Sequence, residues 1–269
     1  MNPGRMTAPR RRLLIRPGAV GDFVVSLPAL VSIKTPYTEV WCAEQNVPLA
    51  RFADHAISIG NSGVDRIGVL PAEDVFARLR AFDEICSWYG TAREEFREAV
   101  AHLPFRFFAA LPPTGSGRNA TEFFCTQVGS PDQLPRLETP PQQREGFVIL
   151  HPFASSPSKR WPLEKFRQLA ALIGSTRWCA GPEEPLEDAV RIPNLFELAC
   201  WISTARAYVG NDSGITHLAA AVGTPVIALF GRGDAAVWAP RGKKVRVISG
   251  TPIHSISVEE VLAELPGLL

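Results

Sequence analysis

Apolar positions along the chain fall into two alternating rhythms. Short apolar runs bounded by polar or glycine-rich turns read as buried strands: Leu13-Leu14-Ile15, Val40-Trp41-Cys42, Ala56-Ile57-Ser58-Ile59, Glu84-Ile85-Cys86 and residues 105–108. Between them, Val75, Leu79 and Phe82 recur at helical spacing and predict a helix over 72–82, with further helices over 22–33 and 92–101. From 131 to 146 the pattern lapses: Pro131, Pro135, Pro140 and Pro141 stand among Gln, Arg and Glu, a linker signature. It then restarts. Strands are predicted over 147–150, 178–180, 207–209, 226–230 and 245–248, and helices over 162–173, 195–204, 214–222 and 258–265. Proline opens the first of these helices, where its missing N–H costs nothing. Strands alternating with helices predict βαβ units and parallel sheets. The expected class is α/β, with two Rossmann-like domains at 12–135 and 146–252, their parallel sheets facing across a cleft. A terminal helical segment, 253–269, is expected to pack back toward the N-terminal domain. No internal repeat is visible.

Composition narrows the reading. The 269 residues suffice for two modest domains, with 46% hydrophobic and 20% charged residues, as in a soluble globular protein. With 28 Lys+Arg against 27 Asp+Glu the net charge is +1, so nothing favours nucleic acid as a partner, and any anion must be held locally. Cys42, Cys86, Cys125, Cys179 and Cys200 are scattered and form no CxxC pair, which speaks against a disulfide framework or structural zinc and for a reducing cytoplasm. The basic N-terminus, with Arg5, Arg10, Arg11 and Arg12, is read as either a disordered tail or a contact for anionic lipid. Arg16, Pro17, Gly18 and Asp22 interrupt the apolar run behind it, so it does not read as a secretion signal. The longest uncharged apolar stretch, 214–231, is split by Gly223-Thr224-Pro225, so no transmembrane segment is predicted.

Four loops follow strands and precede helices. The first runs Arg16-Pro17-Gly18-Ala19-Val20-Gly21-Asp22. Its Asp22 reads either as a helix-opening acid favoured by the dipole or as a general base. The second, His151 to Pro162, holds Ser155, Ser156, Ser158, Lys159 and Arg160. Hydroxyls, cations and a helix start suit a phosphate; the alternative is a capped loop with solvated charges. The third is Gly181-Pro182-Glu183-Glu184. A carboxylate there can take ribose hydroxyls, or both acids are ordinary helix-start residues. The fourth, Gly210-Asn211-Asp212-Ser213-Gly214-Ile215-Thr216-His217, is the most specific, because the N–H groups of Ser213 and Gly214 are placed to meet an anion. His217 is read as either a site residue or a packed core histidine.

Together these segments resemble glycosyltransferase family nine, the ADP-heptose–lipopolysaccharide heptosyltransferases. The matching motifs are Gly21-Asp22 with Leu27-Pro28-Ala29-Leu30, Lys159-Arg160-Trp161-Pro162, Gly210 through His217, Gly223-Thr224-Pro225, and Phe230-Gly231 with Trp238-Ala239-Pro240. Any one alone is weak; their order and spacing over residues 12–242 are specific. The resemblance implies a GT-B fold, with an acceptor-binding domain first and a nucleotide-sugar domain second. It implies Asp22 as general base, Lys159 and Ser155 on the donor diphosphate, the Asp212 loop on phosphate and sugar, and Glu183 or Glu184 on the ribose. Arg16, Gly18 and Gly21 fall in the acceptor-side loop. The chain departs from the family where Arg232-Gly233-Asp234-Ala235 replaces a Pro-Thr-Asp-Pro turn, and its N-terminal half is short.

The implied reaction is attack by an acceptor hydroxyl on the anomeric carbon of a nucleoside-diphosphate sugar, with inversion. No DxD-type metal motif is present, so neither metal nor cofactor is expected. The expected partners are a nucleotide-sugar and a glycolipid or oligosaccharide acceptor, and the expected location is the cytoplasm, peripheral to the inner membrane. A catalytically inactive nucleotide-sugar-binding protein and a nucleotide-sugar epimerase of the same fold are the competing readings.

Overall fold

The computed structural model describes residues 9–267, so Arg5 and the last two residues of the 253–269 segment lie outside the described residues. The chain forms two compact units. The first comprises the residues up to Gly18 together with Leu30–Leu111, and the second comprises Ala19–Ala29 together with Pro112–Leu269.

The first unit holds five parallel strands, β1 (Arg11–Arg16), β2 (Tyr37–Cys42), β3 (His55–Ser58), β4 (Glu84–Ser87) and β5 (Phe105–Phe107), in the order β3-β2-β1-β4-β5. Helix α1 (Val20–Ser32) follows β1, and α2 (Glu73–Leu79) and α3 (Glu94–Ala99) precede and follow β4. Leu13, Leu14 and Ile15 of β1 are fully buried, which is why a central parallel strand reads as an unbroken apolar run. Val75, Leu79, Phe82 and Phe96 close one face of the sheet against Leu13 and Ile15. Two of the N-terminal arginines belong to this strand: Arg11 lies 4.3 Å over the Tyr37 ring and Arg12 pairs with Glu84.

The second unit contains α4 (Ala120–Val128) and then β6 (Val148–His151), α5 (Leu163–Ile173), β7 (Thr176–Trp178), α6 (Leu195–Ser203), β8 (Ala207–Asn211), α7 (Gly214–Ala221), β9 (Val226–Phe230), α8 (Ala235–Trp238), β10 (Val245–Ser249) and α9 (Val258–Glu264). Its five strands are all parallel, in the order β10-β9-β8-β6-β7.

Several expectations are corrected. Helix α1 starts at Val20, two residues before Asp22, because the Asp22 carboxylate accepts the Ala19 N–H at 3.1 Å and closes the first turn. Helix α4 lies in a stretch for which the sequence pattern predicts no element; the Asn119 side chain caps it by accepting the Thr121 N–H, and Gly129 ends it at φ 73°. Strand β7 ends at Trp178, and Cys179 contributes only a single bridge to Val190. No helix follows Glu183-Glu184: the chain there is a series of turns held open by Pro182 and Pro185. Helix α9 packs within the second unit. Val258, Val261 and Leu265 join Phe166 and Leu169 of α5 in the core of the second sheet, which uses up its apolar face.

Phe166 is fully buried in that core, edge-on to Trp161 with ring centroids 4.9 Å apart. Phe166→Ala is expected to lower unfolding stability by about 3–5 kcal/mol through lost transfer energy and a cavity, read as a reduced denaturant midpoint.

Candidate functional site

In the second sheet the strand order reverses at β6, which pairs with β7 on one side and β8 on the other. Open parallel sheets bind ligands beyond the strand ends at such a switch point. His151 at the end of β6 pairs with Gly210 of β8, so the second and fourth loops leave the sheet side by side. Trp161 pins the first of them: it is buried, its N–H donates to Asn211 Oδ1 at 2.9 Å, and its indole N–H donates to the Ile256 carbonyl at 3.0 Å. Lys159, two residues earlier, is thereby held beside Asp212, Nζ to Oδ2 at 2.6 Å.

Helix α7 begins beside this ion pair. Ser213 is its N-cap, its hydroxyl accepting the Thr216 N–H at 3.4 Å. The first turn of α1 lies against the same helix start. A Cβ added to Gly214 would come within 2.8 Å of Val20 Cβ and 2.9 Å of the Gly21 nitrogen; one added to Gly21 would come within 3.3 Å of the His217 ring. Glycine at both positions is what allows two helix N-termini to meet. His217 is buried one turn inside α7, where the charges of Asp212, Asp22 and Lys159 all act on it.

Glu184 joins by another route. Its carboxylate accepts the Gly181 N–H at 2.6 Å and stands 3.5 Å from Nε2 of the buried His151, whose Nδ1 is 3.5 Å from the Ser213 hydroxyl. Burial works against the ionised form of Glu184, but the His151 and Gly181 hydrogen bonds and the nearby Arg160 charge outweigh it and hold its pKa below the ordinary value.

The structure therefore gathers Asp22, Gly21, Lys159, Asp212, Ser213, Gly214 and His217, and links Glu184 to them through His151. Glu183 and Ser155 are exposed. Ser156 caps the single turn Pro157–Lys159, bonding the Ser158 N–H and hydroxyl at 3.3 and 2.8 Å. Arg16 is buried at the end of β1, its guanidinium donating to the carbonyls of Pro17 and Ala110 in the first unit. Gly18 has φ 121°, a backbone state only glycine adopts readily, and its carbonyl accepts from Asn46 at 3.0 Å. Sequence reasoning missed His151, which reads as an ordinary strand-end residue, and Asn211, whose side chain orients the Lys159 loop.

Helix N–H groups and a lysine beyond parallel strands are chemistry that can hold an anion, and Asp212 pairs with that lysine. Among the described residues no three His, Cys, Asp or Glu gather in a metal-binding cluster. The two all-parallel sheets and this switch-point site place the chain among GT-B-type α/β proteins. E. coli ADP-heptose LPS heptosyltransferase II superposes with a TM-score of 0.73 at 18% identity, covering 96% of this chain and 98% of that one. A glycosyl transferase family 9 structure from Veillonella parvula gives 0.76 at 16% identity, covering 96% and 97%. The family model for glycosyltransferase family 9 (heptosyltransferase) matches residues 127–265, and the chain belongs to that family. Lipooligosaccharide heptosyltransferase 2 of Haemophilus influenzae is 35% identical over 34% of this chain and 33% of its own length. The chain spans about a third of the length of the curated relatives it matches.

Burial lowers the His217 pKa from the ordinary 6.5 to about 4; Asp212 and Asp22 oppose this and Lys159 adds to it. The unfolded chain takes up this proton near pH 6.5 and the folded one only near pH 4, so stability present above pH 6.5 is lost as the pH falls through that window. The loss is expected to reach about 3 kcal/mol. Urea midpoints measured across this range should fall more steeply for the native chain than for His217→Asn, and parallel profiles would contradict the assignment.

Proposed function

We propose that the chain is an inverting glycosyltransferase. It moves a heptose-like sugar from a nucleoside-diphosphate donor, ADP-heptose, to a hydroxyl of lipopolysaccharide core or a related glycan. Family membership supports the transferase class, and the E. coli relative whose name includes ADP-heptose supports the donor. One observation carries the site assignment. Asp22 in the first turn of α1, Lys159 on its pinned loop and Asp212 ahead of α7 all act on the one buried His217, where two helix N-termini meet.

In this reading the donor diphosphate lies against the Ser213 and Gly214 N–H groups and Lys159, and the ribose against Glu184. Asp212 holds Lys159 in place. The acceptor oxygen bonds to the anomeric carbon while the bond to the diphosphate oxygen breaks, and that oxygen keeps the electron pair. Asp22 takes the acceptor proton. One displacement gives inversion. A diphosphate leaves without being protonated, so its growing charge is met by Lys159 and the α7 N-terminus, and no metal or cofactor is assigned a role. The acceptor is a glycolipid at the inner membrane face or a free oligosaccharide. No helix among the described residues is long and apolar enough to cross a membrane, so the proposed association is peripheral.

Asp22→Asn should keep donor binding and lower turnover at least ~100-fold, measured as nucleoside diphosphate released, because a positioned base contributes roughly 10²–10⁴-fold. Unchanged turnover removes Asp22 from the role. Lys159→Ala should weaken donor binding about tenfold or more by calorimetry, the scale of a charge-assisted hydrogen bond. An unaltered affinity would place the lysine outside the donor contacts.

A further inference from the structure

We infer that His151 is a positioning residue that aims the Glu184 carboxylate at the donor ribose and ties it to the cap of the phosphate-binding helix. The inference rests on the donor site proposed above and adds a residue to it. His151 is 3% exposed, at the end of the strand where the sheet order reverses. Its two ring nitrogens lie 3.5 Å from Glu184 Oε2 and 3.5 Å from Ser213 Oγ.

The chemistry fixes the direction of the contact with Glu184. An ionised carboxylate only accepts, so Nε2 carries the proton and donates to Glu184. Nδ1 faces the Ser213 hydroxyl at 3.5 Å, and that hydroxyl also lies 3.1 Å from Thr216 Oγ1. Ser213 Oγ in turn accepts the Thr216 N–H that caps α7. The rings of Phe153 and Tyr208, each 6.3 Å away by centroid, shield the imidazole. The Gly181 N–H donates to the same carboxylate oxygen, Oε2, at 2.6 Å, and without His151 it would be the only one of these two contacts left. The nucleoside end and the phosphate end of the seat are therefore linked through one side chain.

The test is calorimetric binding of ADP and 2′-deoxy-ADP to the native chain, His151→Asn and His151→Gln. Asn is too short to reach Glu184, whereas the Gln amide nitrogen falls near the place of Nε2. The native chain should prefer ADP about tenfold or more, a carboxylate–hydroxyl bond being at stake. His151→Asn should reduce that preference below about threefold, and His151→Gln should restore it. A preference kept in His151→Asn overturns the inference and leaves the donor site standing. A native chain that binds both nucleotides alike overturns the inference through Glu184. A native chain that binds no ADP overturns the donor reading itself. Should His151→Asn not fold, the native His151 ring resonances decide: ADP must shift them more than 2′-deoxy-ADP, and equal shifts overturn the inference.

Discussion

Two helices in this chain begin at the same place. Each carries about half a positive charge at its N-terminus, spread over N–H groups that have no partner within the helix. Bringing two such ends together is unfavourable unless negative charge lies between or beside them. The contact is sterically possible only because Gly21 and Gly214 lack side chains; a methyl group on Gly214 would collide with Val20 and with the Gly21 backbone. Asp22 answers the first dipole from within α1, and Asp212 stands immediately before the second. The remainder of the site follows from this constraint. Lys159 neutralises Asp212, and His217 fills the space behind the glycine contact.

The second sheet supplies the frame. Its order reverses between β7 and β8, so the loops after β6 and β8 emerge next to each other. Loops this rich in charge hold no fixed geometry unaided. Trp161 supplies it here by burying a large ring in the core of the second unit while hydrogen-bonding Asn211 on one side and Ile256 on the other. The tryptophan is thus a packing residue with a functional consequence: it fixes where the lysine two positions earlier can reach. Tyr208 does similar work beneath β8. Its ring lies where a side chain on Gly210 would be, so that glycine is a packing requirement of the loop.

Most strands were legible because central parallel strands are apolar on both faces, as in β1, β6 and β9. The loops after β1, β6 and β8 stood out because charged residues and hydroxyls cluster there where strands give way to helices. What escaped the sequence did so for local reasons. Helix α4 has proper caps in Asn119 and Gly129, yet it lies between proline- and glycine-rich stretches that mask its short apolar period. The Glu183-Glu184 segment also reads as a helix start by composition, but the chain runs there as turns, and only the fold brings Glu184 back to Gly181 and His151. His151 carries no motif of its own. Its importance comes from the partner strand and a distant turn, neither of which a linear pattern displays.

Several site residues also hold the backbone, and the two duties are compatible for a chemical reason. A carboxylate offers about four acceptor positions. Asp22 uses one on the Ala19 N–H, which starts the helix in the right place. Capping also holds the carboxylate at the helix start, which in the proposed reaction spares the entropy cost of ordering a mobile side chain. Ser213 is the same case: its hydroxyl oxygen accepts the Thr216 N–H while the group also lies 3.1 Å from Thr216 Oγ1 and 3.5 Å from His151 Nδ1. A residue committed in this way is stiff. In the proposed displacement, stiffness is what the groups assigned to take a proton and receive a leaving charge need, because no reorganisation is then required as the charge develops.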